Sequence, residues 1–330
     1  MTIGWAVVGC GWAAGDMCRA VAAADGARVV AVYDRDEARA DAFSEAYEAT
    51  RAGSLDAMLE RADVDVVYVA LPHALLAPTA ARAIEAGRHV LVEKPMALAV
   101  SAVRSLGQAA SERGVVASPV LELRTQPTVE AARTLVRDDV IGDVKAVRIR
   151  TVIDKPQSYW SAAPWRARRE DAGGGVVLMN AIHQLDVVRY VTGQELTSVV
   201  ADVATLQASV EVEDTAAAVF RLSNGGLLSL TAAAHSSGAA DEEQIEIDGS
   251  HGRIDLPSAG DTIRVHAEGA WSHRVCDGPH AYATYVRRYL AAVRGEGAPP
   301  ATALDAAAAL GAVLAVYRAA AEGRRVDVER

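Results

Sequence analysis

The stretch Arg88-His89-Val90-Leu91-Val92-Glu93-Lys94-Pro95-Met96 decides the fold, because an apolar run stops there abruptly at an acid, a base and a proline. Val90 to Val92 read as a fully buried strand: β-branched and leucyl side chains without alternation suit a parallel sheet covered on both faces. Glu93 and Lys94 then fall at the strand's carboxyl end, the edge where open α/β sheets place their ligands. Pro95 fixes its own φ and drives Lys94 toward extended backbone, which gives the lysine a stiff support. Taken alone, the tripeptide more often marks a strand-end lysine paired with its neighbour in solvent. Its surroundings decide.

Upstream, Thr2 to Val8 is a strand, followed by Gly9-Cys10-Gly11-Trp12-Ala13-Ala14 and a helical pattern through Ala24. This is a Gly-x-Gly-x-x-Ala turn in strand-to-helix context. Gly9 allows the tight turn, Gly11 lets a pyrophosphate approach the backbone beside Trp12, and Ala14 is small enough for close helix packing. Phosphates would sit on the helix amino end, where free N–H groups and the dipole favour anions. A second strand, Arg28 to Tyr33, ends in Asp34, twenty residues beyond Ala14, where an acid can hydrogen-bond a ribose. Asp34 would repel a 2′-phosphate, so NAD is expected before NADP; Arg35 partly offsets that repulsion.

The alternation continues. Asp36 to Tyr47 is helical, Ser54 to Glu60 is a short helix with a Ser cap, and Val64 to Ala70 is a buried strand ending in Leu71-Pro72-His73. Ala77 to Ala86 is a helix closed by Gly87; Leu98 to Glu112 is a helix and Gly114 to Pro119 a strand. Residues 1–119 are therefore expected to form a doubly wound parallel sheet of the Rossmann kind, and 120–330 a second, α+β domain.

Composition bounds the rest. The chain has 330 residues, too many for one ordinary core, with 51% hydrophobic and 23% charged residues. A net charge of -10 argues against a nucleic-acid surface. No apolar run is read as reaching the roughly 18 to 20 residues of a membrane helix, and no signal core follows the amino terminus, so a cytoplasmic protein without membrane contact is expected. Cys10, Cys18 and Cys276 are odd in number and show no Cys-x-x-Cys spacing, so neither a disulfide framework nor a metal site is expected.

The glycine turn, Leu71-Pro72 before a helix, Ala86-Gly87-Arg88-His89-Val90 and above all Glu93-Lys94-Pro95 resemble the glucose-fructose oxidoreductase / inositol dehydrogenase / MocA family of nicotinamide-dependent oxidoreductases. The resemblance covers nearly the whole chain. It implies that Lys94, next to Glu93, lies beside the nicotinamide and the reacting carbinol, and that Leu71, Pro72 and His73 form a cofactor loop. The family often has Asn after that proline and His three residues later, where this chain has His73 and Leu76.

In the second half, Glu122-Leu123-Arg124-Thr125-Gln126-Pro127 resembles the family's Arg-x-x-Pro lead into a helix. Asp154 to Arg169 is polar and aromatic, with Lys155, Tyr159, Trp160, Trp165 and Arg166; it lines a polyol pocket or else packs a long connection or subunit contact. Gly173-Gly174-Gly175 precedes a helix expected over 176–192, and His183 stands eight residues after the last glycine, as in the family's substrate-side motif. The family usually has Asp or Asn four residues before that histidine, where helical spacing joins the two side chains. This chain has Met179, which accepts no strong hydrogen bond, so the orienting role is expected to pass to Asn180 or Asp186. From Leu196 to His266 strands joined by hairpins make a largely antiparallel open sheet. The resemblance implies that such sheets pair across subunits in a homodimer or homotetramer. His280, opening a later helix, is a possible cleft residue.

The expected activity is hydride transfer between NAD and a secondary alcohol or ketone of a sugar, cyclitol or related polyol. His183 would be the proton acceptor, and Lys94 the hydrogen-bond donor to the same oxygen. Two alternatives stand: a sugar enzyme of elimination or glycoside cleavage with retained NAD, and a non-catalytic nucleotide-binding sensor.

Overall fold

The strands of the amino-terminal half carry almost no polar side chains, and the computed structural model, which describes residues 2–236, 238, 241–257 and 260–329, shows why. β1 (Ile3–Val8), β2 (Ala27–Tyr33), β3 (Thr50–Arg51), β4 (Val66–Val69), β5 (His89–Val92) and β6 (Ala117–Pro119) form one parallel sheet in the order β3-β2-β1-β4-β5-β6. Every residue of β1 and β4 is buried, which a strand covered on both faces requires. The helices are α1 (Trp12–Ala22), α2 (Glu37–Tyr47), α3 (Leu55–Leu59), α4 (His73–Glu85) and α5 (Val100–Arg113). Local chemistry sets their ends. Asp36 and Ser54 cap α2 and α3 through Arg39 N and Ala57 N, and Gly114 closes α5 in left-handed conformation. Strand order reverses between β1 and β4, which makes their carboxyl ends the sheet's binding edge.

The chain folds as two compact units, Met1–Thr125 with Pro279–Ala307, and Gln126–Gly278 with Ala308–Arg330. The linear division at residue 119 does not contain this return. Helix Ala281–Val293 belongs to the first unit because Tyr285, Val286, Tyr289 and Leu290 fill the same core as Trp5, Met17, Tyr68 and Leu91. Trp5 meets Tyr289 edge to face at 5.5 Å, and the Tyr285 hydroxyl donates to the carbonyl of Pro119.

The second unit is built on a nine-stranded sheet: β7 (Val144–Val152), β8 (Leu196–Ala204), β9 (Thr215–Leu222), β10 (Leu227–Ala233), β11 (Glu242–Gly249), β12 (Arg253–Pro257), β13 (Thr262–Ala267), β14 (Ala270–Val275) and β15 (Val326–Asp327). Its order is β14-β13-β12-β11-β7-β10-β9-β8-β15, antiparallel throughout except for the parallel pair β7 and β10. Helices Pro127–Arg137 and Ile182–Thr192 pack together and against the sheet. Across β7, β11 and β12 runs a ladder of ion pairs, Arg148 with Glu246 and Asp248 at 2.5 and 2.7 Å and Arg253 with Glu246 at 2.8 Å. The edge strands β14 and β15 lie beyond the sequence reading, since one is exposed at every position and the other has two residues.

Helix Ala303–Glu322 corrects one expectation: its 20 residues are long and apolar enough to cross a membrane. Leu310, Val313 and Val316 are fully buried in the fold, and that burial accounts for its apolar composition.

Candidate functional site

At the end of β1, Gly9 has φ +95°, and a Cβ there would collide with the carbonyl oxygen of Ala70, just past β4. Leu71 packs next to it. Gly11 opens α1 with open space where a Cβ would stand, and no side chain caps the helix, so its first N–H groups face outward. Trp12 is exposed, and Ala14 is fully buried beneath the helix. The Asp34 carboxylate accepts from Cys10 N at 2.7 Å and Asp36 N at 2.9 Å, tying the turn to the end of β2. Each carboxylate oxygen keeps lone-pair capacity for a ribose hydroxyl. Arg35 beside it is exposed. The absent side chains, uncapped helix and strand-end acid fit a dinucleotide of the NAD type. Burial, and then the Asp34 charge, push the Cys10 thiol up to about 12, which leaves it protonated and unreactive. Pro72 caps α4, and His73 begins it as a buried residue.

β5 ends where the sequence places it. Glu93 N donates to Val69 O at 2.9 Å and Met96 N to Glu93 O at 2.9 Å, closing a turn around Lys94 and Pro95, whose peptide bond is cis. Lys94 is half-buried. Beside it the hydroxyl of fully buried Tyr68 donates to Glu93 Oε1 at 2.6 Å. Burial raises the Glu93 carboxyl above its ordinary value, against the opposing pull of the Tyr68 hydrogen bond and the Lys94 charge. Tyr68 escaped the sequence reading, although a phenol inside the run Val66–Val69 needs a buried partner for its hydroxyl.

In the second unit, the connection after β7 folds back on itself. Lys155 is buried, its backbone N–H bonded to Ala234 O at 3.2 Å, and its ammonium donates to Asn180 Oδ1. The same ammonium lies 4.8 Å from the Tyr159 ring centre, and Trp160 Nε1 donates to Lys155 O at 3.2 Å. Arg166 stacks on Tyr159 at 4.2 Å and stands 5.8 Å from the half-buried Trp165 ring. Lys155, Asn180, Tyr159 and Arg166 thus converge, two of them through an aromatic ring. The chain holds only three lysines, Lys94, Lys145 and Lys155, among 33 basic residues. Placing two of the three at candidate site positions is a compositional signal that the sequence reading passed over.

The triple glycine is a packing requirement. A Cβ at Gly174 would strike the Tyr317 hydroxyl, and one at Gly175 the carbonyl of Glu213. The buried Glu213 carboxylate accepts from Gly175 N at 2.8 Å, Val177 N at 3.0 Å and the Tyr317 hydroxyl at 2.8 Å. Burial raises its pKa, and these three donors oppose the shift. Residues Val177–Ala181 then form a π-turn before α-helix Ile182–Thr192, where an uninterrupted helix over 176–192 was expected. The wider turn inserts a residue into the ladder, so the spacing of four that sets Met179 under His183 does not hold as α-helical geometry. Met179 is buried, and Asn180 turns its carbonyl to Lys155. His183 is half-buried in the first turn of the α-helix. Asp186 is buried 3.6 Å from Arg189, which also holds Glu195 through two hydrogen bonds of 2.8 Å. His280 is exposed in the first unit and stacks on Tyr282 at 5.8 Å.

Residues 3–120 match a family model described as an oxidoreductase family with NAD-binding Rossmann fold, and 129–255 match the GFO/IDH/MocA C-terminal domain. A 1,5-anhydro-D-fructose reductase of Ensifer adhaerens is 30% identical, with 98% of each chain covered. A 2,7-anhydro-N-acetylneuraminate hydratase of Mediterraneibacter gnavus is 29% identical over 80% of this chain and 70% of its own. The WlbA dehydrogenase from Bordetella pertussis, solved with NADH and UDP-GlcNAcA, superposes with a TM-score of 0.89 at 25% identity, over 100% of this chain and 98% of its own.

Proposed function

Because the chain belongs to the glucose-fructose oxidoreductase / inositol dehydrogenase / MocA family of NAD-binding oxidoreductases, we propose that it transfers a hydride between NAD and a secondary alcohol or ketone of a sugar, cyclitol or related polyol. The observation that carries this reading is Lys94 at the carboxyl end of β5, on the same sheet edge as the Gly9 turn and Asp34. Bound NAD supplies the hydride acceptor. Lys94 donates a hydrogen bond to the reacting oxygen and steadies its developing negative charge, and His183 accepts the hydroxyl proton. Lys155, Asn180, Trp165 and Arg166 hold the remaining hydroxyls, the cations by hydrogen bonds and the ring by contact with a sugar face. Gly9, Gly11, Trp12, Ala14, Asp34, Arg35, Leu71, Pro72, His73 and Glu93 form the cofactor side. Asp34 favours NAD over NADP by repelling a 2′-phosphate. The free thiols of Cys10, Cys18 and Cys276 accord with a cytoplasmic protein, and a homodimer or homotetramer is the assembly that the family resemblance implies.

A second reading, retained NAD with no net redox change, is favoured by the similarity to a hydratase. Absorbance of reduced nicotinamide separates the two. The purified protein is offered NAD or NADP with sugars, cyclitols and their anhydro forms, beside Lys94→Ala. Turnover that falls at least about 10²-fold in the variant supports the dehydrogenase. Product formation without an absorbance change moves the assignment to retained NAD. Cofactor binding with neither defeats both readings for the panel.

A further inference from the structure

Tyr68 is a fully buried phenol that the chemistry above does not use. It sits on β4 level with Leu91 of β5, so its ring points to the same side of the sheet as Glu93, two residues further along. Its single proton has two acceptors within reach, Glu93 Oε1 at 2.6 Å and Ala13 O at 3.4 Å. The shorter contact takes the proton, and a hydrogen bond to a carboxylate of that length is the stronger kind. The acceptor stands one residue before Lys94, whose charge Glu93 senses. The other titratable groups that act on Tyr68 are Cys18 of α1 and Tyr282 of helix Ala281–Val293, and Tyr282 in turn senses Glu122 and Asp16. Cys18 and Tyr282 stay neutral at pH 7, because burial raises both.

We propose that Tyr68 is a positioning residue for Lys94: its hydroxyl keeps the Glu93 carboxylate charged, and that charge raises the pH at which the Lys94 ammonium gives up its proton. The inference rests on the proposed function for its purpose and on the Tyr68–Glu93 geometry for its substance. Without the hydroxyl, the half-buried Glu93 has lost a donor that favours its charged form and takes up a proton more readily. Lys94 then loses its negative neighbour and releases its own proton at lower pH.

The small number of lysines makes this directly measurable. The full-length protein is labelled with 13Cε-lysine, the Lys94 resonance is assigned with Lys94→Arg, and the three lysine signals are titrated in the wild type, Tyr68→Phe and Glu93→Gln. The expected result is a Lys94 midpoint lowered in both variants by up to about one pH unit, the scale of losing one neighbouring opposite charge. Lys145 and Lys155 stay unmoved, and the alkaline limb of kcat/KM moves with Lys94. A Lys94 midpoint unchanged in a folded Tyr68→Phe protein overturns the proposal. If that variant does not fold, an unchanged midpoint in Glu93→Gln, which keeps an acceptor for the hydroxyl, overturns it equally. The titration needs no turnover, so a wild type without activity defeats the proposed function and leaves this test standing.

Discussion

Glu93 and Glu213 are built alike and put to different use. Glu213 is buried and Glu93 half-buried, desolvation raises the pKa of each, and each accepts a tyrosine hydroxyl, Tyr68 at 2.6 Å and Tyr317 at 2.8 Å. Glu93 stands beside an ammonium, whereas Glu213 spends its other hydrogen bonds on the backbone amides of Gly175 and Val177. The same pair of side chains therefore acts on charge in the first unit and on backbone shape in the second. What distinguishes them is the neighbour, and substitutions should separate stability from activity along that line.

The largest effect belongs to Glu213→Ala, which strands two buried N–H groups and a phenol. Urea unfolding should show a loss of about 4 kcal/mol, the sum of penalties of roughly 1 to 3 kcal/mol per orphaned donor after partial relaxation. An activity loss without any loss of stability would break the comparison. Next comes Glu93→Gln, for which kcat/KM should fall about tenfold, or about 1.4 kcal/mol of transition-state binding, with a stability change below about 1 kcal/mol. Third, Tyr317→Phe and Tyr68→Phe should each cost about 1 kcal/mol in unfolding, and only the second should displace the pH profile.

Acid–base linkage sharpens the same contrast. Because the folded protein raises the Glu213 carboxyl above its ordinary 4.5, it binds more protons there than the unfolded chain does. That stabilisation is complete below pH 4.5 and is lost as pH rises through the folded value, so Glu213→Gln should flatten this part of the stability curve. The smallest effect concerns His89, whose Nδ1 accepts from Val116 N at 3.0 Å between β5 and β6. Burial lowers its pKa from 6.5, with Asp65 opposing, so the sign is reversed. Stability is full above pH 6.5 and falls as pH drops through the folded value. His89→Gln should remove a slope worth below about 1 kcal/mol, read from melting temperature against pH.

How much was legible follows from how local each cause is. The runs at Ile3–Val8, Val66–Val69 and His89–Val92 announce a covered parallel sheet, because a strand buried on both faces has nowhere to carry polar side chains. The Gly9 turn is equally plain, since its positive φ and the press of Ala70 leave no room for a side chain. The π-turn at Val177–Ala181 is not written in any periodicity, and it changes which neighbours of His183 share a face. Nor does any pattern pair Lys155 with Asn180, or return Tyr285 and Tyr289 to a core begun by Trp5.

By itself, then, the sequence determined the parallel first sheet, its glycine turn, the acid at Asp34 and the strand-end position of Lys94, all consequences of backbone geometry within a few residues. The tertiary structure alone decided the partners of the desolvated charges: Tyr68 for Glu93, Tyr317 for Glu213, Asn180 for Lys155. A buried charge requires a hydrogen-bonding partner, but which distant residue supplies it is settled only when the elements that carry both are packed together.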